Sequence, residues 1–142
     1  MRAWLLVAAV AIAASSCAPI ARSAVAPDGG PSVLIQQFGG MNDQPPLRVQ
    51  RSVRIFDSGE MGQLADELNA LPPFPNGVWS CPFDDGAYFE VLFTYADGTS
   101  TPFRVNARGC RAVYVGKTNP RVLWAARSPE LFDTLTGLLS HQ

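Results

Sequence analysis

The sequence predicts an α+β fold: an antiparallel sheet of about four to six strands, two helices on one of its faces, and one disulfide. Three observations carry that prediction. Alternating apolar runs at Ala87–Tyr95 and Thr101–Ala107 flank Asp97-Gly98, a hairpin signal. Two other segments place their leucines on a single helical stripe. Cys81 and Cys110 are far apart, without a CxxC or a neighbouring histidine, as befits a structural pair rather than a redox or metal site.

The elements follow in chain order. Arg2 precedes an unbroken small and apolar run from Trp4 to Ala14, too short for the roughly 20 residues that span a bilayer. Residues 1–16 therefore read as a secretory signal. Ala14-Ser15-Ser16-Cys17 resembles a bacterial lipobox, with Ala14 where that motif carries leucine. The resemblance implies that Cys17 becomes the first residue and bears acyl chains of the palmitate type, giving a membrane lipoprotein that faces outward. Several chains anchor a protein firmly, whereas one binds only marginally. The alternative is cleavage after Ala26 in Ala24-Val25-Ala26 and a freely secreted product. Cysteine counting favours the anchor: of three cysteines, a lipidated Cys17 leaves Cys81 and Cys110 as the only pair, in a compartment where disulfides persist.

Residues 17–32 read as the lipidated cysteine and a flexible tether rich in proline and glycine, and 33–142 as one domain. Val33–Phe38 and the alternation of Val49, Val53 and Ile55 predict two strands around a loop from Gly39 to Leu47. Asp57 and Glu60 have capping-box spacing, and Met61, Leu64, Ala65, Leu68 and Leu71 form the stripe of a helix that Pro72-Pro73 stops. In the hairpin, a three-residue loop Ala96-Asp97-Gly98 with Gly98 left-handed pairs Phe93 with Thr101, Val91 with Phe103 and Phe89 with Val105. A two-residue loop would instead face Val91 with Arg104. Cys110–Val115 and Arg121–Ala125 predict two more strands, so the disulfide should tie the entry of the first hairpin strand to the start of the strand at Cys110–Val115. Ser128 as cap, Pro129 in the first turn and the stripe Leu131, Leu135 and Leu138, flanked by Phe132 and Leu139, predict the last helix.

Composition excludes several functions. A net charge of −1 gives no electrostatic footprint for nucleic acid, and neither helix has a basic amphipathic face. The single histidine, His141, is next to last in the chain, which leaves no Ser–His–Asp arrangement. Lys117 in Gly116-Lys117-Thr118 lacks the glycine-rich loop of a phosphate site and reads as a surface turn. No cofactor is implied, and a monomer is expected.

The best chemical candidate is Asp84-Asp85-Gly86, with Glu90 and Asp97 in the same region of sequence. Aspartates favour turns because their carboxylates accept nearby backbone N–H bonds, and that reading leads. A hard cation such as Ca²⁺ on Asp84 and Asp85 is a weaker candidate, and acid–base work weaker still. The aromatics Trp79, Tyr88, Tyr114 and Trp124, with Pro72–Pro75, form a candidate docking surface. On the sheet face opposite the Phe89/Val91/Phe93 row, Tyr88, Leu92, Arg104, Asn106 and Arg108 make the binding surface to examine first.

Leu71-Pro72-Pro73-Phe74-Pro75, Cys81-Pro82-Phe83-Asp84-Asp85-Gly86, Tyr95-Ala96-Asp97-Gly98 and Gly109-Cys110-Arg111 together resemble an uncharacterised family of small exported proteins and lipoproteins of actinobacteria and similar bacteria. The likeness runs from about Phe38-Gly39-Gly40 to the final helix. It implies the fold and an exported location, and brings no catalytic residues. The functional expectation is a lipid-anchored, non-catalytic envelope protein that binds a partner or ligand. The alternatives are a secreted inhibitor presenting Pro72–Gly77 to an exported enzyme, or a hydrolase using Asp84, Asp85 or Glu90.

Overall fold

Six antiparallel strands and two helices make up the computed structural model, which describes residues 31–141. The signal at 1–16, Cys17 and the tether up to residue 30 lie outside the described residues. The strands are β1 (Ser32–Phe38), β2 (Val49–Ile55), β3 (Tyr88–Thr94), β4 (Ser100–Asn106), β5 (Ala112–Val115) and β6 (Arg121–Trp124). Helix α1 (Ser58–Asn69) follows β2, and α2 (Pro129–Ser140) closes the domain. The sheet order is β2-β1-β3-β4-β5-β6, so β1 pairs with both β2 and β3.

Period-two alternation sorts the side chains. Val33, Ile35, Phe89, Val91, Phe93, Phe103, Val105, Val113 and Leu123 are buried in one core with Met61, Leu64, Ala65 and Leu68 of α1 and Leu131, Leu135 and Leu139 of α2. Both helices thus cover the same sheet face, as expected. They are joined at their polar edge, where the Thr134 hydroxyl and Gln63 Nε2 donate to Glu67 Oε1 at 2.9 and 3.0 Å.

The hairpin register is the one parity predicts: Phe93 faces Thr101, Val91 faces Phe103 and Phe89 faces Val105. Gly98 takes φ +79°, and its N–H reaches the Tyr95 carbonyl at 2.9 Å. Asp57 caps α1 through Oδ1, which accepts from the Glu60 N–H at 2.9 Å. Ser128 differs from expectation. It stands at the cap position of α2, but its hydroxyl makes no capping bond, and its carbonyl accepts from Leu131 N–H at 3.3 Å instead.

The third strand of the β region is also shorter than expected. It starts at Ala112, because residues 107–111 form the β4–β5 turn and Arg111 adopts φ +50°. Cys81 and Cys110 are joined, with Cα atoms 4.9 Å apart. Their bond ties the segment leading into β3, as expected, to the β4–β5 turn rather than to the start of β5. That segment is held on its other side by β6. Phe74 N–H donates to Val122 at 3.0 Å, Trp124 N–H to Pro72 at 2.9 Å, and Pro73 forms an antiparallel bridge with Leu123. Part of the β6 edge is thereby covered. No helix among the described residues is long and apolar enough to cross a membrane.

Candidate functional site

Strand polarity brings four connections to one end of the sheet. Phe38, Val49, Tyr88 and Asn106 lie at that end of their strands, as do Ala112 and Trp124. The links 39–48, 72–87, 107–111 and 125–128 therefore gather there. The hairpin loop 95–99 and the exposed turn carrying Lys117 lie at the other end.

Asp84 and Asp85 build the turn at the gathered end. Asp84 Oδ1 accepts from Gly86 N–H at 2.9 Å, and Asp85 Oδ1 accepts from Ala87 N–H at 3.2 Å. Asp85 is buried, its Oδ2 is 2.8 Å from a guanidinium nitrogen of Arg108, and its carbonyl receives Met41 N–H at 2.8 Å. A Cβ at position 40 would overlap the Asp85 carboxyl group, so this close approach requires Gly40. Turn-capping, the leading sequence reading, is what these carboxylates do. Glu90 and Asp97 are not brought to them. Glu90 faces Arg104 across β3 and β4, and Asp97 caps Thr99 N–H at 2.9 Å in the distant hairpin loop. Among the described residues, no group of three or more His, Cys, Asp or Glu side chains converges as a metal site would need.

Arg108 lies two positions past the end of β4, and its guanidinium pairs with Asp85. Tyr88, Leu92, Arg104 and Asn106 share the outer face. Tyr88 stacks on Phe38, with ring centroids 4.4 Å apart and planes 6° apart, and Arg104 lies 4.0 Å above the Tyr88 ring. Asn106 is opposite Tyr88, and Leu92 is opposite Pro102 and Leu34.

The Asp85–Arg108 pair can be weighed by mutation. Arg108→Ala leaves a buried carboxylate without its cation, but the arginine side chain is 59% exposed and screened by water. The expected loss is about 1–2 kcal/mol of unfolding free energy in urea titration. A double-mutant cycle with Asp85→Ala should return most of that loss as coupling, and a coupling near zero would show that the pair is idle.

Beside the turn opens a cleft of about 510 Å³, which the sequence reading did not assemble. Its walls are Phe74, Trp79, Pro82, Phe83 and Trp124, and Ala107, Gly109, Cys110 and Ala126 also line it. The Trp79 and Trp124 rings are 5.9 Å apart, and Phe74 meets Trp124 edge-on at 6.4 Å. Trp79 Nε1 donates to the Pro75 carbonyl at 3.1 Å, which sets the orientation of the ring. Arg108, Arg111 and Ser80 supply the polar lining. Arg111 is fixed twice, by its left-handed backbone and by its guanidinium, 4.3 Å above the Phe132 ring.

Exposed apolar side chains concentrate at the same end. Trp79 and Phe83 are 48% and 70% exposed in the cleft wall, and Met41 and Leu47 are exposed in the neighbouring link. Trp79, Trp124 and Phe74 belong to the aromatic set singled out from sequence, whereas Tyr88 and Tyr114 lie in strands away from the cleft lining. Phe83 was missed. Its signal, a large aromatic immediately after Cys-Pro in a segment without periodicity, was present in the sequence. His141 is exposed at the end of α2, beside Glu60, Gln63 and Thr134 and away from this site. No protein-family model, curated protein or solved structure matches the chain, so the chemistry of the cleft alone carries the functional reading.

Proposed function

We propose that the chain is an exported, lipid-anchored and non-catalytic binding module of the cell envelope, with the aromatic cleft as its ligand site. One observation carries the reading: four aromatic rings and a disulfide frame an open, preformed cleft among exposed apolar side chains. A soluble domain rarely leaves such a patch open without a partner for it. The engagement of Asp84 and Asp85 within their own turn supports a binding role over hydrolysis. The disulfide is compatible with export, and the likeness to small exported lipoproteins belongs to the same proposal.

The test has two arms. Wild-type chain is expected in the membrane fraction with acyl mass on Cys17, and Cys17→Ala in the soluble fraction; membrane retention of an unlipidated Cys17→Ala would remove the anchor from the reading. Trp79→Ala is expected to weaken retention of envelope material about tenfold, the scale of one lost aromatic contact. Unchanged retention would remove the cleft.

A second reading, an inhibitor of an exported enzyme, draws on one feature. The segment 72–74 is clamped along β6, and the tip that follows carries Val78, which is fully exposed. In that reading Val78→Asp abolishes inhibition of an exported hydrolase and leaves the cleft intact.

A further inference from the structure

The charged lining of the cleft has one sign. Arg108 and Arg111 are its charged residues, Ser80 adds a hydroxyl, and no carboxylate lines it. Arg108 is oriented from behind by buried Asp85 through one nitrogen, while its side chain remains 59% exposed. A guanidinium carries five N–H donors, so the ion pair leaves most of them available. Arg111 is held in place by Phe132 and by a left-handed backbone that only glycine adopts without cost. The Arg108 N–H groups beyond the one on Asp85, together with the Arg111 guanidinium next to aromatic walls, suit a ligand that joins an apolar group directly to an anion.

We propose that the cleft binds the C-terminal end of a peptide chain. An aromatic or large apolar side chain sits against Trp79, Trp124 and Phe83, and the free α-carboxylate is held by Arg108 and Arg111. Guanidinium groups match a carboxylate in shape and charge, commonly by two parallel hydrogen bonds. The cleft volume suits a terminal residue or two rather than a long polymer. A neutral glycan would use the rings and leave two arginines without a role. A bilayer would use the exposed apolar tips and would not need a concave wall. The inference rests on the cleft being the ligand site.

Tryptophan fluorescence reads this site, because Trp79 and Trp124 both line it and are the tryptophans of the described residues. The chain without residues 1–16, and so without Trp4, is titrated with acetyl-Ala-Ala-Phe bearing a free carboxylate and with the same peptide as its amide, with calorimetry alongside. The acid should bind, and the amide should bind at least about tenfold more weakly, the scale of a lost charge-assisted hydrogen bond. Arg111→Gly should weaken the acid by a similar factor. Its relaxed backbone keeps the variant folded, which Arg108→Ala does not guarantee.

Equal binding of acid and amide, or binding of neither, overturns the proposal. So does a tryptophan blue shift on vesicles of phosphatidylcholine and phosphatidylglycerol that excludes the peptide, which would assign the cleft to the membrane. If Trp79→Ala loses envelope retention while the peptide fails to bind, the binding-module reading survives and the C-terminal ligand does not. If both fail, both fall.

Discussion

Replacing Cys81 and Cys110 by serine lowers the free energy of unfolding by about 3–4 kcal/mol. The bond spans a sequence separation of 29, and in the chain-entropy treatment closing a loop of that length removes about this much freedom from the unfolded chain. A domain of this size is stable by only about 5–15 kcal/mol, so the loss is a large fraction of the total. In thermal melts it should appear as a fall of roughly 15 °C in Tm. The closed loop contains β3, β4 and their turn, and one of its ends, Cys110, lines the cleft. The serine variant should therefore also loosen the site, with weaker retention of ligand at temperatures where the domain is still folded. A loss below 1 kcal/mol would mean that the unfolded chain already holds these segments together.

The hairpin was legible because its information is local. Asp97-Gly98 sets the loop, the side-chain period is two, and a single parity choice then decides every pair from Phe93–Thr101 to Phe89–Val105. Helix α1 was legible for a similar reason, since Asp57, Glu60 and the Met61–Leu68 stripe lie within four turns. The cleft was not legible, because nothing local builds it. Its wall segment has no period, and its position comes from bonds that Pro72 and Phe74 make with β6, about fifty residues downstream.

The partner of Arg108 was not legible in the sequence. The residue lies two positions past the end of β4, and its guanidinium pairs with buried Asp85, 23 positions earlier, which no periodicity reports. Trp79 and Trp124 were visible as candidates one at a time, and only the fold brings their rings to 5.9 Å.

Phe103→Ala is expected to cost about 3–5 kcal/mol, because truncating a buried phenylalanine removes its transfer free energy and leaves a cavity. Phe103 is fully buried in β4, lies between Val91 and Val115 in register, and meets Phe93 edge-on at 5.6 Å. Its neighbour Arg104 points to the opposite face, over Tyr88, and is exposed. Arg104→Ala should therefore change stability by less than about 0.5–1 kcal/mol. The contrast between adjacent residues tests the register itself, since a slip of one residue would exchange their faces and reverse the two costs. Urea unfolding decides it, by a large fall in midpoint for Phe103→Ala at unchanged slope. A cost for Phe103→Ala no greater than that for Arg104→Ala would refute the three-residue loop at Ala96-Asp97-Gly98 and the core built on it.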